Sequence, residues 1–486
     1  MTAFALAVLA CAALPRNLTE HYLPVPLDHA APWNGRTLSL RYLMDTSYLT
    51  RDGPLITYTG NEADIEGFAA NCGFLWVLAR RFGGAVIFIE ERYYGKSLPV
   101  PIAGEHEYAF LSSAQVVEDF AVALWTLRRQ VNATKVVAVG GSYGGMLTAW
   151  LRKRHPDLVS AALASSAPVV GFASTLMEKQ RAADFYAITE SAYPCSETLG
   201  AAFRALWAAP ADAWERLGDD FGLCSSSRIH NATSLEALVG FLQQQLSDLA
   251  FANYPYPVGD MPANPAAYAC SKTRATAAHR PTPQASGVAN SEPPTPTPAA
   301  DGWLPLRDAL TWRYLPAGGC IALRGAFSAY TPGFLPGAWT FQRCTDLVMA
   351  FEVRDSSRMF LRCGADGFSA NCAAAGLDAL RSFCAAEFGV QVPDAARQQA
   401  VWGQNWTRAS GGSRIIFSNG DLDPWGYGGV DDDVQAHDDD PDRPVVLHIA
   451  KGAHHLDLRA PDPADPPSVV IAREQETAVL ARWLDM

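Results

Sequence analysis

The chain has 486 residues, 49% hydrophobic and 18% charged: longer than one typical domain and too apolar for a disordered polymer. Its formal net charge of −12 argues against a nucleic-acid-binding surface and is compatible with an acidic compartment. Two domains, or one core carrying a large insertion, are the expected organisation.

Residues 1–13 are small and apolar and end in Cys11-Ala12-Ala13, which reads as a short signal peptide. No other apolar run is long enough to cross a bilayer, so a soluble mature protein without membrane contact is expected. Strand-like runs follow at Leu38 to Leu43, Leu55 to Tyr58, Ala85 to Glu90 and Lys135 to Val139, separated by segments of helical spacing. That alternation predicts a largely parallel sheet. One helix is predicted from Ser113 to Arg129, opened by the capping-box pattern Ser112 to Gln115, with Val116, Phe120, Leu124 and Leu127 on its buried face.

After the fourth run stands Val139-Gly140-Gly141-Ser142-Tyr143-Gly144-Gly145-Met146, with Ser142 central in a Gly-x-Ser-x-Gly frame. Met146 to Arg154 then reads as a helix ending in cations. Strand, glycine-rich turn and helix together are the context of a nucleophile elbow, in which the serine oxygen is thrust out of a turn too tight for larger neighbours.

From Val169 to Gln404 the chain becomes alanine-rich, helical and cysteine-bearing, and is read as an inserted cap. Within it Thr273 to Asp301 is rich in proline and threonine and is predicted to be a disordered loop between Cys270 and Cys320. Eight of the ten cysteines lie between Cys195 and Cys384, which predicts a disulfide-stapled insert and hence an oxidising compartment. Zinc is the alternative, but Cys-x-x-Cys spacing is missing. Cys72 is read as a free thiol. Sequons at Asn17, Asn132, Asn231 and Asn405 are candidate glycan acceptors in a secreted chain.

Strand character returns at Arg414 to Phe417 and Val445 to Ile449, and a closing helix is predicted from Ser468 to Leu484, burying Val469, Ala472, Val479, Leu480 and Trp483. The acidic stretch Asp431 to Asp433 with Asp438 to Asp440 is read as a solvated loop, because it lacks the ligand spacing of a calcium loop. The chain thus divides into a first core part (14–168), the cap (169–404) and a second core part (405–486).

A serine nucleophile needs a base, and the base needs an orienting acid. Asp421 and Asp423 follow one late strand and His454 and His455 follow the next, so each role has two candidates. The oxyanion hole would take the N–H of Tyr143 and a second N–H from Gly60 or Asn61. Trp425 is a candidate wall for a small apolar pocket, Met146 a wall or a core residue, and Glu62 a candidate substrate-binding residue.

Tyr58 to Glu62, Glu91 to Gly95, Gly140 to Met146, Ser166 to Pro168, Cys344-Thr345, Ser418 to Trp425 and Gly452 to Arg459 together resemble the lysosomal prolyl carboxypeptidase and dipeptidyl peptidase II family of serine peptidases, over nearly the whole mature chain. The resemblance implies an α/β-hydrolase fold with an inserted helical, disulfide-bonded cap, and exopeptidase cleavage after proline. It implies Ser142, Asp423 and His454 as the triad, His455 and Asp421 as supporting residues, and a Cys344–Cys384 disulfide. Ala63, Glu91, Lys96 and the proline-rich loop depart from the family pattern. Cys363 and Cys372 have no counterpart in it. The expected partners are peptides with proline at the cleaved position, with a homodimer left open and neither metal nor cofactor required. The expected destination is a lysosome, a vacuole or the medium. The tyrosine- and proline-rich stretch Asn253 to Pro265 looks closer to the dipeptidyl branch, which releases N-terminal X-Pro dipeptides; Pro-X carboxypeptidase action is the alternative. A lipase or esterase, and a silent hydrolase fold kept for binding, are the rivals outside the family.

Overall fold

The structure, a computed structural model, describes residues 17–101, 106–172, 181–278, 301–315, 319–323, 337–349, 351–364, 367, 373–394, 400–403, 405–430, 432–435 and 440–486. The segment 1–13 therefore lies outside the described residues.

Eight strands form one sheet: β1 (Thr19–Pro26), β2 (Thr37–Asp45), β3 (Leu55–Thr59), β4 (Ala85–Ile89), β5 (Val136–Gly141), β6 (Ala161–Ser165), β7 (Ile415–Gly420) and β8 (Val445–Ile449). Their order is β1-β2-β4-β3-β5-β6-β7-β8. β1 and β2 pair antiparallel, as do β2 and β4, and every later pairing is parallel.

Alternation along the central strands decides what packs where. Ala85, Ile87 and Ile89 of β4, Val136 and Ala138 of β5, and Ile415 and Phe417 of β7 face one side. There they meet helices α3 (Ser113–Gln130) and α4 (Tyr143–Arg154). Val86 and Phe88, Val137 and Val139, and Ile416 face the other, against α1 (Ile65–Asn71), α2 (Phe74–Phe82) and the closing helix α13 (Pro467–Leu484). Both faces are buried, so these strands read as continuous apolar runs, as central parallel strands do. This is an α/β-hydrolase fold.

Two strands lie outside the sequence-predicted set. β1 carries Pro24 and Pro26 and sits at the sheet edge, where proline removes no ladder bond on the solvent side. β6 is Ala161-Ala-Leu-Ala-Ser, with no β-branched residue; its small side chains admit the close approach of α4. The N-terminus of α3 keeps half of the predicted capping box. Ser112 accepts the Gln115 N–H at 3.3 Å, but the Gln115 carboxamide accepts from the His29 N–H and donates to Asp28. Along α13 the predicted apolar face is present with Val479 only half-buried, and Arg473 and Glu476 are buried beside it.

The insert is helical: α5 (Asp184–Ser191), α6 (Ser196–Trp207), α7 (Trp214–Asp220), α8 (Ala232–Phe251), α9 (Pro265–Ala278), α10 (Leu304–Tyr314), α11 (Ala338–Thr345) and α12 (Ala373–Phe388). Its apolar core gathers Phe203, Leu238, Leu242, Leu246 and Leu310. Disulfides join Cys195 to Cys270, Cys224 to Cys320 and Cys344 to Cys384; Cys363 is also disulfide-bonded, and Cys72 is a buried free thiol. The predicted disordered stretch needs a correction at its start: residues 273–278 belong to α9, where Thr273 is buried and its hydroxyl caps the Cys270 carbonyl. Residues 279–300 lie outside the described residues. Among the described residues no helix is long and apolar enough to cross a membrane.

Candidate active site

Ser142 joins β5 to α4 with φ 60° and ψ −130°, a left-handed conformation that costs a non-glycine residue roughly 1–3 kcal/mol and persists only where the surroundings impose it. They do so here. The Ser142 N–H donates to the Ser165 carbonyl at 3.0 Å, and its carbonyl accepts from Met146 N–H at 3.1 Å. A Cβ on Gly140 would stand 2.3 Å from the Gly144 carbonyl oxygen, and one on Gly144 would stand 2.7 Å from that of Thr59. Neither position has room for a side chain.

The end of β7 carries the candidate acid and the end of β8 the candidate base. Asp423 is fully buried, and its Oδ1 accepts both the Trp425 N–H at 3.0 Å and His454 Nδ1 at 2.9 Å. Oδ2 is buried without a partner. A carboxylate held on Nδ1–H leaves Nε2 of the imidazole as the acceptor, the tautomer a general base needs. The cap also holds this histidine. Its N–H donates to the Phe251 carbonyl at 3.2 Å, its carbonyl accepts the Tyr254 hydroxyl at 3.2 Å, and the Phe251 ring stands edge-on to the imidazole. Sequence reasoning missed Phe251 and Tyr254; the only signal was the aromatic character of Phe251 to Tyr256.

His455 has its ring 4.4 Å from that of His454 and its N–H on Ser166 Oγ at 2.8 Å. Burial first, and then the neighbouring His454, hold its pKa well below the ordinary histidine range, so it is neutral. Asp457 receives the hydroxyls of Ser165 and Ser418, each at 2.7 Å, and so ties the histidine loop to β6 and β7. Asp421 is exposed, with its N–H on the Ile449 carbonyl; its side chain does not reach the acid's position.

Of the two alternatives for the second oxyanion donor, Gly60 is overturned. Its N–H is spent on the Ile89 carbonyl at 2.9 Å, an exchange forced by the parallel pairing of β3 with β4. Asn61 remains beside Tyr143, whose N–H, as the first of α4, has no partner within its helix.

Ser142, Asn61, Tyr143 and His454 line one cavity. Trp425, Met146, Phe251 and Met349 give it apolar walls, so Met146 is both core and wall. Two carboxyls and a guanidinium also line it. Glu62 accepts from Asn61 Nδ2 at 2.8 Å, and Asp248 of α8 accepts from Gln244 at 2.7 Å; burial raises the pKa of both. Arg459 donates to Tyr256 at 3.2 Å and Asn71 at 3.1 Å and lies 4.6 Å over the Tyr254 ring, while its Nη1 is buried without a partner. Burial pushes the Cys72 thiol up to about 12, which leaves it unreactive. Among the described residues no cluster of side chains could hold a metal ion. Asn17, Asn132, Asn231 and Asn405 are all exposed.

A family model described as serine carboxypeptidase S28 matches residues 25–274 and 328–476. The chain is 30% identical over 494 residues to the lysosomal Pro-X carboxypeptidase of Homo sapiens, covering 97% of this chain and 89% of that protein. It is 30% identical over 491 residues to prolyl carboxy peptidase like protein 5 of Caenorhabditis elegans, covering 96% and 90%. Against the thymus-specific serine protease of Mus musculus identity is 27% over 494 residues, covering 96% and 87%.

Proposed function

Because the chain belongs to the serine carboxypeptidase S28 family, we propose that it is a serine exopeptidase cleaving after proline, with Ser142 as nucleophile, His454 as base and Asp423 as orienting acid. The observation that carries this reading is the 2.9 Å bond between Asp423 and His454 beside the strained Ser142 in one cavity. Ser142 Oγ attacks the prolyl carbonyl while His454 Nε2 takes its proton. The oxyanion receives the N–H groups of Tyr143 and Asn61. His454 then protonates the leaving amine, and water hydrolyses the prolyl ester by the reverse relay. Trp425, Phe251 and Met146 form the slot for the proline ring, which brings no N–H that would need a partner.

An exopeptidase must also hold one chain end. Glu62 and Asp248 are buried carboxyls that form no salt bridge among the described residues, and the α-ammonium of an X-Pro substrate would pair with them; dipeptidyl peptidase action is therefore the first reading. The unpartnered Nη1 of Arg459, together with the names of the relatives, favours a second reading: capture of a terminal carboxylate and Pro-X carboxypeptidase action. Parallel assays of a Lys-Pro fluorogenic amide and an N-blocked peptide ending in Pro-X decide between them. Turnover of the amide, abolished by Ser142→Ala and with KM raised about tenfold by Asp248→Asn, supports the first. Cleavage of the blocked peptide alone establishes the second. Disulfides and four exposed sequons support passage through the secretory route to a lysosome or vacuole, where the sequons carry glycans.

A further inference from the structure

Behind the elbow lies a buried polar network that the chemistry above does not use. The Tyr143 hydroxyl donates to Glu91 Oε1 at 3.3 Å. It accepts from Gln342 Nε2 at 3.0 Å and stands 2.9 Å from Ser113 Oγ, which is left as the donor in that pair. Gln342 Nε2 also donates to Glu91 Oε1 at 2.8 Å, and Gln342 Oε1 accepts the Tyr94 hydroxyl. Glu91, Tyr94, Ser113 and Gln342 are all fully buried. Three parts of the molecule meet here: the turn after β4, the first residue of α3 and the cap helix α11. They converge on the side chain of Tyr143, the residue whose backbone N–H is the proposed first oxyanion donor.

We propose that Glu91 is a positioning residue for the elbow: through Tyr143 and Gln342 it clamps the cap helix α11 to the turn that carries Ser142. The Tyr143 ring is buried, with its centroid 5.5 Å from that of Trp339, so it ties the first residue of α4 to the cap. Glu91 Oε1 takes the one O–H of Tyr143 and one of the two N–H groups of Gln342, so removing it orphans two buried donors at once.

The clamp works with a neutral carboxyl. Glu91 Oε2 is buried without a partner, and the titratable groups that face the carboxyl are Glu62, Asp346, Tyr94 and Tyr143, none of them a cation. Arg92, next in the chain, is committed to Asp119 at 2.6 and 2.7 Å, as is His29 at 2.7 Å. Burial therefore raises the Glu91 pKa well above the ordinary carboxyl value. Its ionisation as pH rises puts an uncompensated anion in the joint between cap and core, so the clamp is intact in acid and weakens towards alkaline pH.

The proposal rests on Ser142 as the nucleophile, and its test separates the two. The rate of Ser142 labelling by a fluorophosphonate, kcat and KM for the Lys-Pro amide or the N-blocked Pro-X peptide, whichever is turned over, and thermal stability are measured from pH 4 to 8. The comparison is between wild type, Glu91→Ala and Glu91→Gln. Glu91→Ala is expected to lower labelling and kcat about tenfold or more with KM little changed, short of the roughly 10²–10³-fold loss of an oxyanion donor itself. Glu91→Gln keeps both accepted bonds and should match wild type at pH 5 while holding its rate further into alkaline pH. Glu91→Ala with a lower melting temperature but unchanged rates per folded molecule overturns the proposal, as does Glu91→Gln, which keeps both accepted bonds, with labelling and kcat well below wild type at pH 5. The latter comparison stands even if the alanine variant does not fold. A wild type that the fluorophosphonate leaves unlabelled sinks the serine-peptidase reading as well, whereas equal labelling of wild type and Glu91→Ala sinks this proposal alone.

Discussion

The core and the cap hold the site in different ways. The core presents Ser142, Asp423 and His454 from the ends of β5, β7 and β8, whose pairing partners and register fix where each turn begins. The cap contributes Asp248, Phe251, Tyr254 and Met349 to the cavity from helices whose mutual positions depend on apolar packing and disulfides. Geometry at the proposed triad is thus a property of hydrogen-bonded backbone, and geometry around the rest of the cavity a property of side-chain packing. Damage to the first should appear in kcat, and damage to the second in KM.

The largest effect should come from the core. In Gly140→Ala the new methyl would sit 2.3 Å from a backbone carbonyl that cannot retreat without dragging α4, so fluorophosphonate labelling should fall about 100-fold or more. Near-normal labelling of a folded Gly140→Ala protein would show that the elbow tolerates what its sterics forbid. A double variant, Cys195→Ala with Cys270→Ala, opens a 75-residue loop and should lose roughly 2–4 kcal/mol, with the cap melting before the core in calorimetry. Its KM should rise by a larger factor than its kcat falls. A single unshifted transition would mean that packing alone fixes the cap.

The smallest effect is one of pH. Burial raises the pKa of Glu62, Glu91, Asp248 and Glu476 above their unfolded values, so in the folded state they bind more protons than in the unfolded chain above about pH 4. Their contribution is complete below the unfolded values near 4 and is lost as pH rises. His455, held low, acts the other way: its contribution is complete above the unfolded pKa near 6.5 and is lost as pH falls below it. Four carboxyls outweigh one imidazole, so the melting temperature should be higher at pH 5 than at pH 8. Glu476, fully buried and facing Asp457, is the group to test. Glu476→Gln should flatten the slope by a few degrees, and an unchanged slope would remove Glu476 from this account.

The same division governs what could be read from the sequence. The places of Ser142, Asp423 and His454, the proposed triad, are legible because each follows a strand that is apolar on both faces, and such strands announce themselves in a single sequence. β6 escaped because alanines that admit a helix carry no strand signature, and β1 because prolines at an edge look like a turn. The choice between Gly60 and Asn61 could not be made locally: it depends on Ile89, 29 residues downstream, taking the Gly60 N–H. Asp248 and Phe251 were invisible for a related reason, since helical periodicity marks them as core and only tertiary packing turns them towards a cavity. The start of the proline-rich stretch was misplaced because Thr273 to Ala278 extends a helix already begun at Pro265 and needs no hydrophobic pattern of its own.

The crosslinks have a topological consequence for how this polypeptide survives digestion. Ser142 lies before the stretch between Cys270 and Cys320, and Asp423 and His454 lie after it. A single proteolytic cut there makes two fragments that divide the proposed triad between them. Cys195–Cys270 falls wholly within the first fragment and Cys344–Cys384 wholly within the second, so among the described disulfides with both ends given Cys224–Cys320 is the bridge between them. The nicked molecule would migrate as one species until a reductant is added and as two afterwards. Its sheet would still be assembled from both fragments, because β6 of the first pairs with β7 of the second.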